Sequence, residues 1–141
     1  MQHNLLPQEP QIKRHVLVVD DDADMCWSLK RLLQSESYDV TTADCGYAAL
    51  DRLMESTFDI IILDARLPDI SGLELAQLIS EKADAIPPIV LISGYLYPND
   101  KVVLESLESG LITHFISKPF FHDVFLDFIR ENPLEAPNGI G

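Results

Sequence analysis

Five short apolar runs, separated by stretches of helical period, constrain the fold of this 141-residue chain more than any other feature. They are Val16-Leu-Val-Val19, Val40-Thr-Thr-Ala43, Ile60-Ile-Ile-Leu63, Ile89-Val-Leu-Ile92 and Phe115-Ile-Ser117, each of strand length. The first, third and fourth are apolar at every position, so both faces of those strands must be covered, as in a parallel sheet between helix layers. The intervening segments supply the helices. Met25, Leu29, Leu32 and Leu33 share one face of the first, and Tyr47, Leu50, Leu53 and Met54 one face of the second. The third opens at Ser71 with Glu74 placed for a capping box and carries Leu75, Leu78 and Ile79. The fourth, near Asp100 to Ser109, presents Val103 and Leu107 and stops at Gly110, which suits a left-handed cap. The fifth carries Val124, Phe125, Phe128 and Ile129 and ends before Pro133. Strict alternation predicts an α/β three-layer sandwich: a five-stranded parallel sheet flanked by five helices, with right-handed crossovers.

The length fits one domain. Its folded body is expected over residues 14–131, between an arm at 1–13 and a tail or linker at 132–141 whose two prolines and two glycines forbid a continuing helix. A net charge of -13 repels phosphate backbones and anionic lipid heads, which argues against direct nucleic-acid or membrane-surface binding and favours cationic partners or a metal ion. No apolar run approaches the ~20 residues of a membrane span, and the first ten residues lack the pattern of a signal peptide, so a cytoplasmic location is expected. Cys26 and Cys45 have no metal-ligand spacing and are expected to be free thiols. His3, His15, His114 and His122 are scattered and receive no role.

Ligands of a parallel α/β sheet bind at the carboxyl ends of its strands. There the sequence places Asp20, Asp21 and Asp22 after the first run, Asp64 after the third, Ser93 and Gly94 after the fourth, and Lys118 and Pro119 after the fifth. Carboxylates brought together repel unless a cation sits among them or some are protonated. Mg²⁺ fits that need, held by two or three carboxylates and a backbone carbonyl with room left for a phosphate oxygen. Lys118 adds a point charge and Ser93 a hydroxyl donor for an anion. Together these make a phosphoryl-transfer site, in which Asp64, alone at a central strand end, is the expected nucleophile. Asp22 is read instead as a helix cap.

The same residues resemble, in order and spacing, the receiver domain of two-component response regulators, the CheY-like fold. The likeness rests on Val16-Leu-Val-Val-Asp20-Asp21-Asp22, on Phe58 through Leu75 around Asp64, Pro68 and Gly72, on Pro88 through Gly94, and on Gly110 through Phe120. It implies the strand order 2-1-3-4-5 and an aspartyl phosphate at Asp64, taken from a phosphohistidine of a sensor histidine kinase or a histidine phosphotransfer protein. It also implies that Asp21 binds Mg²⁺ directly, Asp20 through water and Arg66 by its backbone carbonyl, with Asp64 in the same set. Lys118 would pair with Asp64 and then with the phosphoryl group, Ser93 would hydrogen-bond that group, and Phe115 would rotate inward. The Lys118-Pro119 bond is expected to be cis. The readout would be a surface of the fourth helix, fifth strand and fifth helix, where Phe121 and Leu126 point outward and a homodimer could form. Trp27 falls off the apolar face of the first helix and is expected to be partly exposed. On this reading the chain catalyses only its own phosphorylation and dephosphorylation.

Three features depart from the family pattern. The fifth helix looks about a turn short, with His122 and Asp123 in place of the usual start. Gly94 stands where Ala is frequent, and Gly94 to Asn99 is an unusual lead into the fourth helix whose aromatics could cover the site and slow water attack. Three rival readings accompany the resemblance. One is a receiver-like docking module that takes no phosphate. Another is a haloacid-dehalogenase-type phosphatase, with Asp20 to Asp24 as its motif but Asp24 at the Thr/Val position. The third, a flavodoxin-like cofactor binder, fails because a flavin phosphate wants Gly, Ser and Thr where this chain has aspartates.

Overall fold

The structure is a computed structural model that describes residues 13–82 and 84–131; the expected tail and all but the last residue of the expected arm lie outside them. The elements run β1 (His15–Val19), α1 (Ala23–Ser35), β2 (Asp39–Ala43), α2 (Gly46–Glu55), β3 (Ile60–Asp64), α3 (Gly72–Lys82), β4 (Ile89–Ser93), α4 (Lys101–Ser109), β5 (His114–Ser117) and α5 (His122–Glu131). All strand pairs are parallel, and the sheet order is β2-β1-β3-β4-β5. Each apolar run thus became a strand, and the order implied by the resemblance holds.

The unbroken apolar runs divide by parity between two cores, because successive side chains of a strand point to opposite faces. Val16, Val18, Ile60, Ile62, Val90 and Ile92 meet Leu29 and Leu33 of α1 and Phe125 and Ile129 of α5. Leu17, Val19, Ile61, Leu63, Ile89 and Leu91 meet Ala49 of α2 and Leu75, Ala76 and Ile79 of α3. Every strand residue in these two sets is at most 1% exposed, and burying each Leu, Ile or Val contributes about 1.5–3 kcal/mol. Such a sheet cannot slip register without driving a whole set into the wrong layer.

The helix ends follow the expected chemistry. Asp22 caps α1, its carboxylate accepting from the N–H groups of Asp24 and Met25. The capping box of α3 is complete: Ser71 N–H donates to Glu74 Oε1, and Glu74 N–H to Ser71 Oγ, each at 3.0 Å. Gly110 ends α4 in the left-handed region at φ 82°, where a side chain would be strained.

Two helix faces differ from the sequence reading. Tyr47 and Met54 were expected on the core face of α2, yet they are 59% and 85% exposed, and Gly46 and Ala49 are buried instead. The helix approaches the β3–α3 loop so closely that a Cβ at Gly46 would collide with Ile70. Small residues therefore set this face and the large ones turn outward. In α5, Val124 is 53% exposed, while Phe125 takes the buried place and stacks on Phe120 with ring centroids 5.3 Å apart. Among the described residues, no helix is long and apolar enough to cross a membrane.

Gly72 starts α3 against the end of β3, where a Cβ would overlap the Asp64 carbonyl oxygen and press on Ala65 Cα. Both obstacles are backbone and cannot swing aside. Gly72→Ala is therefore expected to cost about 1–3 kcal/mol or more, read as a lower urea midpoint. At Gly94 a Cβ would meet only Lys118 Cβ at 3.7 Å, an ordinary contact. Gly94→Ala should stay within about 0.5 kcal/mol of the parent in the same experiment.

Candidate functional site

The carboxyl ends of β1, β3, β4 and β5 converge as the parallel sheet requires. Asp20 follows β1, Asp64 and Ser93 are the last residues of β3 and β4, and Lys118 follows β5. Lys118 Nζ donates to Asp20 Oδ2 at 2.8 Å and to Asp64 Oδ2 at 3.0 Å. Asp20 is fully buried and Asp64 nearly so. The Lys118-Pro119 bond is cis, as expected.

Burial raises the Asp20 pKa above its ordinary value, opposed by the hydrogen bonds from Lys118 and from the Asp22 N–H and reinforced by the charge of Asp64. Burial acts to lower the Lys118 pKa, but its hydrogen bonds to Asp20 and Asp64 outweigh burial and raise it. The ammonium is thus held charged by the two carboxylates it separates.

Asp20, Asp21 and Asp64 each offer a carboxylate oxygen within 4.8 Å of the others. With these groups and Lys118 ionised, three carboxylates against one ammonium leave two net negative charges, a deficit that a divalent cation removes. The donor set, all hard oxygen, suits Mg²⁺. Both Asp20 oxygens already accept, Oδ1 from the Asp22 N–H at 2.9 Å and Oδ2 from Lys118, whereas Asp21 is exposed.

The loop that carries Arg66 is fastened at several points. Its Arg66 N–H donates to Asp64 Oδ1 at 3.1 Å, Ala65 N–H to the Ile92 carbonyl at 2.8 Å, and Gly72 N–H to the Ala65 carbonyl at 2.8 Å. A fastening missed by the sequence reading is Asp69, which caps the start of α2 across the fold by accepting from the Gly46 and Tyr47 N–H groups at 2.8 and 2.9 Å. Desolvation pushes its pKa up, but the donors Gly46, Tyr47 and Ile70 reverse this and hold it down to about 2. Nothing in Leu-Pro-Asp-Ile-Ser identifies a partner 22 residues upstream.

Ser93 is fully buried, and its Oγ accepts from the Tyr95 and Leu96 N–H groups at 3.1 and 2.9 Å. Among the described residues no hydrogen bond joins it to Asp64. Phe115 is partly buried and packs against the core on the α2–α3 side, as Leu96 and Leu107 also do. Trp27 is 62% exposed, as expected, and lines an open depression of about 500 Å³ with Asp20, Asp21 and Lys30. Cys26 and Cys45 are free. Cys26 Sγ donates to the Asp20 carbonyl at 3.1 Å, and burial, with the charge of Asp20, pushes its thiol up to about 11.

A 2-1-3-4-5 parallel sheet with acidic groups and a lysine at its carboxyl edge defines a class, the phosphoryl-responsive signalling modules. The family model for the response regulator receiver domain matches residues 16–130, and the chain belongs to that family. It is similar to the transcriptional regulatory protein FixJ of Bradyrhizobium diazoefficiens, with 36% identity over 79% of this chain and 52% of FixJ. Among solved structures it resembles the chemotaxis response regulator CheY4 of Vibrio cholerae, at TM-score 0.75 and 26% identity, covering 85% of this chain and 98% of that one. It also resembles the response regulator TrrA of Thermotoga maritima in complex with Mg²⁺-BeF, at TM-score 0.69 and 31% identity, covering 84% and 97%. The chain spans between about a fifth and about half of the length of the curated relatives it matches.

Two outcomes test this geometry. Lys118→Met strands the buried Asp20 carboxylate beside Asp64, and urea unfolding at neutral pH without divalent ions should show a loss of about 3 kcal/mol. Asp69 has a depressed folded pKa, so its contribution is complete above the unfolded value of 3.8 and lost as pH falls through about 2. The urea midpoints of the parent and Asp69→Asn should therefore differ by a constant amount above about pH 4 and converge toward pH 2.

Proposed function

We propose that residues 14–131 form the receiver unit and that Asp64 accepts a phosphoryl group from the phosphohistidine of a sensor histidine kinase or histidine phosphotransfer protein. One observation carries the reading: a single lysine ammonium bridges two buried carboxylates, with a third, exposed carboxylate beside them. An Asp64 oxygen bonds to phosphorus as the phosphorus–nitrogen bond of the donor breaks, and the imidazole leaves with the electron pair. Mg²⁺ held by Asp20, Asp21, Asp64 and the Arg66 carbonyl, with Asp20 acting through water, would neutralise charge on the phosphoryl oxygens. The Mg²⁺-BeF complex of the related TrrA supports this choice of ion.

The chain's own residues do the positioning. The Arg66 N–H fixes Asp64 Oδ1, and Lys118, already between Asp20 and Asp64, turns its ammonium to a phosphoryl oxygen as the Asp64 charge is consumed. Ser93 offers its hydroxyl to a second oxygen, and Phe115 follows by rotating inward. The surface of α4, β5 and α5 is the readout, and it carries Phe121 at 78% and Val124 at 53% exposure for a partner or a homodimer. Leu126, expected beside Phe121, is half-buried. The module works in the cytoplasm and turns over no other substrate. The dehalogenase-type alternative loses its acid–base candidate, since Asp22 is committed to capping α1.

Incubation with acetyl phosphate and Mg²⁺, followed by intact mass, tests the reading. The parent should gain one phosphoryl group, and Asp64→Asn none. Omitting Mg²⁺ or replacing Asp21 by Asn should slow uptake by at least an order of magnitude, on the scale of losing one charge-stabilising group. Equal uptake by the parent and Asp64→Asn would exclude Asp64 as the acceptor.

A further inference from the structure

Helix α2 carries no member of the carboxyl-edge site, yet its first turn is tied to the loop that carries Arg66. That loop is a small hairpin whose two feet are held at the sheet: Arg66 and Ser71 face each other as an antiparallel bridge, and the Gly72 N–H donates to the Ala65 carbonyl. Its tip, Leu67 to Ile70, lies beyond those bonds. Asp69 fastens it. Oδ1 accepts from the Gly46 N–H at 2.8 Å and the Ile70 N–H at 2.9 Å, and Oδ2 accepts from the Tyr47 N–H at 2.9 Å. The Ile70 side chain fills the space that a Cβ at Gly46 would need, so tip and helix are in direct contact. The carboxylate also stands at the positive end of the α2 dipole, which favours its charge there.

We propose that Asp69 is a positioning residue for the cation: by seating the β3–α3 loop on α2, it sets the Mg²⁺ affinity of the carboxyl-edge site. The inference rests on the Mg²⁺ set proposed above, in which Arg66, three residues before Asp69, supplies its carbonyl. Mg²⁺ demands near-octahedral geometry, so a backbone carbonyl serves it only where the peptide is held in place. When the loop is seated for only a fraction of the time, the apparent dissociation constant rises by the reciprocal of that fraction. Asp69 touches neither the cation nor a reacting atom in this account; it acts through the loop. The coupling is reciprocal, so a cation that prefers the seated loop also tightens the junction with α2 and makes that helix part of the unit that responds to it.

Isothermal titration calorimetry with Mg²⁺ at neutral pH, on the full chain, tests this. Asp69→Ala should raise the dissociation constant roughly three- to tenfold, the scale of losing a helix cap. Asp69→Asn keeps an acceptor oxygen for the Gly46 and Ile70 N–H groups and should fall between the parent and Asp69→Ala. Leu53 packs against the core near the far end of α2, so Leu53→Ala loosens the helix away from the junction and should bind Mg²⁺ as the parent does. Parent-like affinity in Asp69→Ala overturns the proposal. Equal weakening by the Asn and Ala variants also overturns it, by assigning the loss to missing charge, as does equal weakening by Leu53→Ala, which assigns it to general loosening of the fold. Absence of Mg²⁺ binding by the parent, or parent-like affinity in Asp21→Asn, overturns the ligand set instead.

Discussion

The arrangement depends on one interaction, the Lys118 ammonium wedged between the Asp20 and Asp64 carboxylates. Desolvated like charges side by side are unstable, and a central cation turns that repulsion into attraction. Its partners come from three strand ends far apart in sequence, so the contact exists only when β1, β3 and β5 are in place. The apolar runs provide that order: each fully covered strand is locked in register by two cores at once. The electrostatic site is therefore a by-product of a sheet that can assemble in one way.

Rigidity around the site comes from backbone. Gly72 lets α3 start against the Asp64 carbonyl, and Asp69 holds the same loop to the start of α2. Opposite it, Ser93 gathers the N–H groups of Tyr95 and Leu96, which shapes the β4–α4 loop. One flank is thus fastened by hydrogen bonds to the sheet and to a second helix, whereas the other is held by the Ser93 hydroxyl, by Leu96 against the core and by the Arg66–Tyr95 contact. If either flank moves when charge at Asp64 changes, the physical asymmetry favours the β4–α4 side.

The sequence made the strands and polar cluster legible because both obey short-range rules: period and parity for the strands, and position after a strand for the site residues. Asp22 as a cap and the Ser71–Glu74 box were readable for the same reason. The outward turn of Tyr47 and Met54 was not, because helical period assigns large apolar residues to the core, and only the close approach of α2 to Ile70 gives that place to Gly46 and Ala49. The Asp69 cap and the Arg66–Tyr95 contact were also hidden. Each joins loops whose meeting is set by tertiary packing, and Asp69 looks from its neighbours like an ordinary turn residue.

Ser93 and Tyr95 link these strands of reasoning. Ser93 Oγ accepts two loop N–H groups, which leaves its single proton to donate. A phosphoryl group at Asp64, as proposed, would offer an anionic acceptor, and the gain from that bond would differ between states in which Ser93 does and does not reach it, which is the condition for a population shift. Any displacement of Ser93 toward Asp64 pulls on the Tyr95 backbone, and Tyr95 in turn carries the ring on which Arg66 rests. The Ser93 hydroxyl and the Arg66–Tyr95 contact are thus mechanically one element, which ties the β4–α4 loop to the β3–α3 loop.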